Sequence, residues 1–184
     1  MHRLFAVFAL AGLLATAPVA QVQAQQAPDP AQGPLPMSQF LQQAGYSLSP
    51  AEASYLDADQ QVQLQWVMPL IDMFGLAGPD AGLPDADTQA KIVADLQQVL
   101  ALDPNAAPQA PPSLESLRTL AVEQRQALRR AASAWLNALQ AGDPDWRTSG
   151  TDDFVAAQQS LAAWNQEMFS RYPPPEQPPD QPPS

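Results

Sequence analysis

The chain has 184 residues, no cysteine and a single histidine, His2, with 8 Lys and Arg against 19 Asp and Glu. Beyond residue 24 neither His nor Cys remains, which removes Ser-His-Asp and Cys-His catalysis, His- or Cys-ligated zinc, Cys-ligated iron–sulfur clusters and histidine-based pH switching. The charge there is −12, from 7 basic and 19 acidic side chains; nucleic acid and anionic membrane surfaces are therefore not expected partners.

Residues 1–24 have the layout of a cleavable export signal. His2 and Arg3 form a positive start, Leu4–Ala15 an apolar stretch, and Val22-Gln23-Ala24 puts small residues at −3 and −1, so cleavage is expected after Ala24. About a dozen apolar residues fall short of the roughly 20 that span a bilayer, and no later stretch reaches that length. The expectation is a soluble protein of the periplasm or exterior. Without cysteine it has no disulfides and depends on an ordinary apolar core. A chain of about 150 residues suffices, since it buries roughly two-thirds of its unfolded surface, and one domain is expected.

Proline divides the rest. Fifteen of 21 prolines fall in 25–36, 103–112 and 173–184. Proline lacks an N–H and fixes φ, so these segments are neither helix nor inner strand. The first and last are expected to be disordered or extended, and 103–112 to link parts of a helical domain over 37–172. Two Ile, six Val and four Thr beyond residue 24, against abundant Ala, Leu and Gln, disfavour strands.

The first predicted helix is about Met37–Ala44, stopped by Gly45. The second opens with Ser49-Pro50-Ala51-Glu52, which can form a capping box with proline at the first helical position. A new start is expected at Asp57, with Gln60 three residues on. Val62–Leu76 is apolar on nearly every face, the pattern of a buried segment, with a kink at Pro69; Val62, Leu64 and Trp66 also alternate as in a strand. A further helix runs from Asp85 to about Leu102, with Ile92, Leu96, Val99 and Leu100 on one face. The longest is expected over about 114–141, capped by Ser113 and stopped by Gly142, with Leu114, Leu117, Ala121, Leu128, Ala132, Trp135 and Leu139 as its core stripe. The last, about 152–171, takes Thr151 as N-cap and sets Phe154, Ala157, Leu161, Trp164, Met168 and Tyr172 on one face. The two long helices can pair antiparallel. The fold class is all-α: a small bundle of about five amphipathic helices between Pro-rich tails.

Four features could carry function. Asp57/Asp59, Asp85/Asp87, Asp143/Asp145 and Asp152/Asp153 fail as EF-hand loops. Counting from the first three, position six is Val62, Ala90 or Thr148 instead of Gly, and position twelve is Met68, Leu96 or Phe154 instead of Glu. Helix capping accounts for them. Arg118, Arg125 and Arg129 fall within about 40° on a helical wheel, a stripe that could meet an acidic partner or pair internally. In the 62–76 segment Met68 and Met73 read as core filler rather than as copper ligands, and Trp66, Met73 and Phe74 would be partner anchors if exposed. The tail PPPEQPPDQPP favours polyproline II and reads as a spacer or a ligand for an aromatic groove.

Leu48-Ser49-Pro50-Ala51-Glu52 is similar in outline to the LTxxQ motif of small exported helical stress chaperones, with Ser for Thr and Glu for Gln. The capping box explains it equally, and no residue role is taken from the resemblance. Carboxylate-only hydrolysis is open in principle, but Glu52 and Glu115 read as first-turn residues, Glu176 lies in the tail, and no acid–base pair stands out by spacing. The expectation is an exported, non-enzymatic helical protein of the cell envelope, without metal or cofactor, that binds or scaffolds another protein. A chaperone-like binder of unfolded exported proteins and a carboxylate-only hydrolase are the alternatives.

Overall fold

The computed structural model describes residues 35–77 and 82–172. The expected signal, most of the proline-rich segment before Met37 and the tail from Pro173 lie outside these residues. Five α-helices form among them, α1 Met37–Gln43, α2 Pro50–Ala77, α3 Ala86–Ala101, α4 Glu115–Gln140 and α5 Thr151–Arg171, with single 3-10 turns at Pro112–Leu114 and Trp146–Thr148. The fold is all-helical, as the composition indicates.

Local chemistry sets most boundaries. Gly45 adopts φ +89° after α1, which lets its N–H reach Gln42 O and the Tyr46 N–H reach Leu41 O. The capping box of α2 forms: Glu52 Oε2 accepts from the Ser49 N–H at 2.9 Å, and the Ser49 hydroxyl accepts from the Glu52 N–H at 3.3 Å. Asp85 caps α3 by accepting from the Thr88 N–H at 2.9 Å. Gly142, at φ +73°, ends α4.

Three expected starts are corrected. No helix begins at Asp57, because its carboxylate works on another element. It accepts from the Ser38 N–H and hydroxyl at 2.8 and 2.6 Å, while Gln60 accepts from the Met37 N–H at 2.8 Å, so the pair caps α1 across space. Freed of an internal start, α2 runs unbroken through Pro69 and is the longest helix, at 28 residues against 26 for α4. Ser113 does not cap α4; it lies in the 3-10 turn and donates to Glu52 at 2.9 Å. Thr151 is the first residue of α5 instead of its cap, and Gly150 stands before it. The reason is steric: a Cβ on Gly150 would lie 2.6 Å from Nε1 of Trp135 and 2.8 Å from the Ala131 carbonyl.

Helices α4 and α5 pair antiparallel. Ser116 near the start of α4 donates to Glu167 near the end of α5 at 2.9 Å, and Arg130 pairs with Asp153 at 2.7 Å. Helix α3 packs on α2 and α4, whereas α5 packs along α4 and barely approaches α2. Two apolar clusters result. The larger joins Trp66 and Met73 of α2, Ile92 and Leu96 of α3, and Trp135 and Leu139 of α4. The smaller joins Leu41 of α1, Tyr55 and Leu56 of α2, Leu114, Leu117 and Met168.

Gly150→Ala is expected to cost about 1–3 kcal/mol, as overpacking against a fixed indole does, in urea denaturation. Ser49→Ala is expected to cost about 1 kcal/mol at pH 7, as a lost N-cap does. The Ser49 N–H and hydroxyl hold the Glu52 carboxyl below its ordinary value. That contribution is present above the unfolded carboxyl's pKa and is lost as pH falls through the lower folded one. The gap between wild type and Ser49→Ala should therefore narrow in denaturation curves taken at successively lower pH.

Candidate functional site

Because α5 stays away from α2, an apolar groove opens between them with α4 as its floor. Val67, Ile71 and Phe74 of α2 form one wall, Phe154 and Leu161 of α5 the other, and Leu128 the base. Its cavity volume is about 60 Å³, room for one small apolar group and well below the roughly 300–1,000 Å³ of small-ligand pockets. Its polar groups are the side-chain amides of Gln124 and Gln158. Phe74 forms the lip. Its ring meets Trp135 edge-on at 5.3 Å and Phe154 at 5.5 Å, while Trp135 and Phe154 lie 5.6 Å apart. Such pairs contribute about 0.5–1.5 kcal/mol each beyond area burial, so the ring is held in place although 42% of Phe74 is exposed.

The structure separates the residues that the sequence grouped as partner anchors. Phe74 faces the groove, but Trp66 and Met73 are 1% and 0% exposed and belong to the core against α3 and α4. Met68, not Met73, is the exposed methionine of this segment. The arginine stripe is divided too. Arg118 pairs with Glu115 at 2.6 Å on the surface. Arg129 is exposed beside a shallow hollow shared with Arg130 and Leu100. Arg125 is fully buried and bonded to Asp59. The wheel grouped these side chains correctly as neighbours on one helix; it could not show that α2 covers the middle one.

The Asp59–Arg125 pair is the one buried ion pair among the described residues. Arg125 Nη2 donates to Asp59 Oδ1. Burial pushes the Asp59 carboxyl up, and the guanidinium pulls against that shift. Burial also raises the Tyr55 hydroxyl beside it, keeping it neutral. Tyr55 OH and the remaining Arg125 donors, Nε and Nη1, are buried with no partner among the described residues. Where α2 packs on α3, burial raises the Asp95 carboxyl and the like charge of Asp72 raises it further; neither residue lines the groove.

Asp59 could have been recognised from spacing. Tyr55, Asp59, Val62, Trp66, Leu70 and Met73 recur at three- and four-residue steps, so an Asp in that stripe must be buried and paired. Phe154 and Leu161 fall on the apolar face of the last helix by spacing. Their partial exposure depends on the distance between α2 and α5, which no local pattern encodes. Among the described residues no group of three or more His, Cys, Asp or Glu is placed to hold a metal ion, and no helix is long and apolar enough to cross a membrane.

Comparison with protein-family models, with curated proteins and with solved structures finds no match to this chain.

Phe154→Ala removes the ring that touches both Phe74 and Trp135. Phe154 is half-buried, so the expected loss is about 2 kcal/mol, below the roughly 3–5 of a fully buried Phe. Urea denaturation reads the loss, and Trp135 emission should shift to longer wavelength as water reaches the indole.

Proposed function

We propose that the chain is an exported, non-enzymatic helical protein of the cell envelope that binds or scaffolds another protein, receiving its apolar side chains in the groove between α2 and α5. The observation that carries this reading is Phe74: a large aromatic side chain, positioned by two other rings, that stays 42% exposed at the mouth of an apolar groove. Large side chains that become fully desolvated near the centre of an interface, aromatic ones prominent among them, carry most of protein–protein affinity. Met68 and Leu76 on the same helix, 41% and 38% exposed, add apolar surface nearby. With Trp66 and Met73 in the interior, Phe74 is the member of that trio left to act as an anchor.

The same half-open groove favours the second reading, a chaperone-like binder of unfolded exported proteins. An apolar slot with two side-chain amides selects weakly among sequences and would accept many extended segments. Suppression of aggregation of several unrelated unfolded proteins by the purified protein separates this reading from a dedicated scaffold. Export rests on the pattern of residues 1–24, and the protein recovered from the cell envelope is expected to begin at Gln25.

Phe74→Asp and Leu161→Asp test the groove. Each is expected to reduce at least tenfold the recovery of a protein that co-purifies with the wild type after in-cell crosslinking, while Gln97→Asp on α3 leaves it unchanged. Thermal melting checks that each variant is folded. Equal recovery with all three variants contradicts the groove as the binding surface, and substrate turnover abolished by changing one carboxylate contradicts a non-enzymatic role.

A further inference from the structure

The seam between α2 and α5 has two halves, and only one is open. Near the start of α2 it is closed by α1, whose Leu41 is buried in one cluster with Leu56 of α2 and Met168 of α5. Farther along, Phe74 of α2 lies 5.5 Å from Phe154 of α5, so the two helices run antiparallel. Charge is missing from both over the same stretch. Helix α2 carries none between Asp59 and Asp72, and α5 none between Asp153 and Glu167. Antiparallel order sets these stretches side by side, in a chain with 19 acidic and 7 basic side chains beyond residue 24.

Each helix carries a further stripe on this side. On α2, Leu64, Met68, Ile71 and Gly75 recur at steps of four, three and four; on α5, Val155, Gln158, Ala162 and Asn165 recur at three, four and three. This is the spacing of a seam along which one helix packs on another. On a helical wheel the α2 stripe is centred about 70° from Val67 and Phe74, and the α5 stripe about 70° from Phe154 and Leu161, both on the side away from α4. The stripes are open to solvent. Met68 and Val155 are 41% and 43% exposed. Gln158, Ala162 and Gly75 are exposed, and a Cβ on Gly75 would meet nothing within 4 Å. Six large apolar side chains are exposed among the described residues, and three of them, Met68, Phe74 and Val155, lie here.

We infer that this face meets the same face of a second copy, so that α2 and α5 of the two copies form a four-helix arrangement about a two-fold axis. Charge decides the occupant. Two copies of an acidic chain repel one another, and like charges set face to face are costly; the uncharged stretch is where they can touch. A basic partner is drawn to acidic surface instead and gains nothing electrostatic here. The stripes also match in length, at about 17 Å from Leu64 to Gly75 and about 15 Å from Val155 to Asn165. Burial of Met68, Phe74 and Val155 drives the association, and Asn165, a polar residue within its stripe, is of the kind that fixes register. The inference rests on the α2–α5 face being a contact surface, as proposed above, and names a second copy as its occupant; a different protein would have to displace that copy.

Sedimentation equilibrium of the protein purified from cells expressing the full chain reads the self-association. The expected result is a monomer–dimer equilibrium whose mean mass rises toward twice the monomer's as concentration goes from about 1 to about 200 µM. Raising NaCl from about 0.02 to about 0.3 M should strengthen the dimer severalfold, because salt screens the repulsion between acidic copies and the face has no charges to pair. Met68→Glu and Val155→Glu are each expected to weaken the dimer at least tenfold, and Gln97→Glu on the exposed side of α3 to leave it unchanged. Circular dichroism and the melting temperature check that each variant is folded. The chain has no cysteine, so Ala162→Cys treated with a bifunctional maleimide should yield a product of dimer mass, and Gln97→Cys should not. A monomer at every concentration, a dimer that weakens as salt is added, or a dimer indifferent to both Glu variants overturns the inference. A monomer that still captures a different protein through Phe74 overturns self-association alone and leaves the groove's role standing. A dimer sensitive to both Glu variants that captures no other protein supports the inference and contradicts that role.

Discussion

A carboxylate and a guanidinium buried together hold this bundle in its arrangement. Asp59 lies in the apolar stripe of α2 and Arg125 in the interior face of α4, and each would be costly in the core without the other. They sit between the two apolar clusters. Helices α2 and α4 are joined mainly through side chains, and the long arginine bridges the distance between them.

The groove lies where α2 and α5 do not meet. Each of α2, α3, α4 and α5 packs on its neighbour in sequence, but the first and last of them do not close the ring. At one end α1 fills the gap, fastened by Asp57 and Gln60. At the other, the rings of Phe74 and Phe154 line it without filling it. The open part of the seam is apolar and uncharged, lined by Val67, Ile71, Leu128 and Leu161 together with Phe74 and Phe154. None of Arg118, Arg125 and Arg129 lines it: the first is paired with Glu115, the second is buried, and the third is exposed beside Arg130 and Leu100.

Much of the architecture can be read from the residues alone. The all-helical class, the ends of α1 and α4 at Gly45 and Gly142, the caps at Ser49 and Asp85, and the buried stripe of α4 follow from local rules. What local rules missed depends on other elements. Asp57 and Gln60 resemble a helix start, and they do cap a helix, but one that precedes them by about twenty residues. Thr151 resembles an N-cap, yet the Trp135 indole needs the space that a glycine leaves, which moves the boundary. For the site, Phe74 lay within the segment singled out for possible exposure, and Phe154 and Leu161 lay on a predicted apolar face. Which of Trp66, Met73 and Phe74 reaches the surface was decided by where α3 packs, and that is not a periodic property of the chain.

The account turns on Asp59 and Arg125 acting as one unit, and a double-mutant cycle measures this most directly. Urea denaturation of Asp59→Leu, Arg125→Met and the double variant gives the coupling between the two sites. Each single change should lose roughly 3–5 kcal/mol, because it leaves one polar or charged group buried without its partner, and the double variant should recover most of that loss. Single changes that cost less than about 0.5 kcal/mol, or losses that simply add in the double variant, would contradict it.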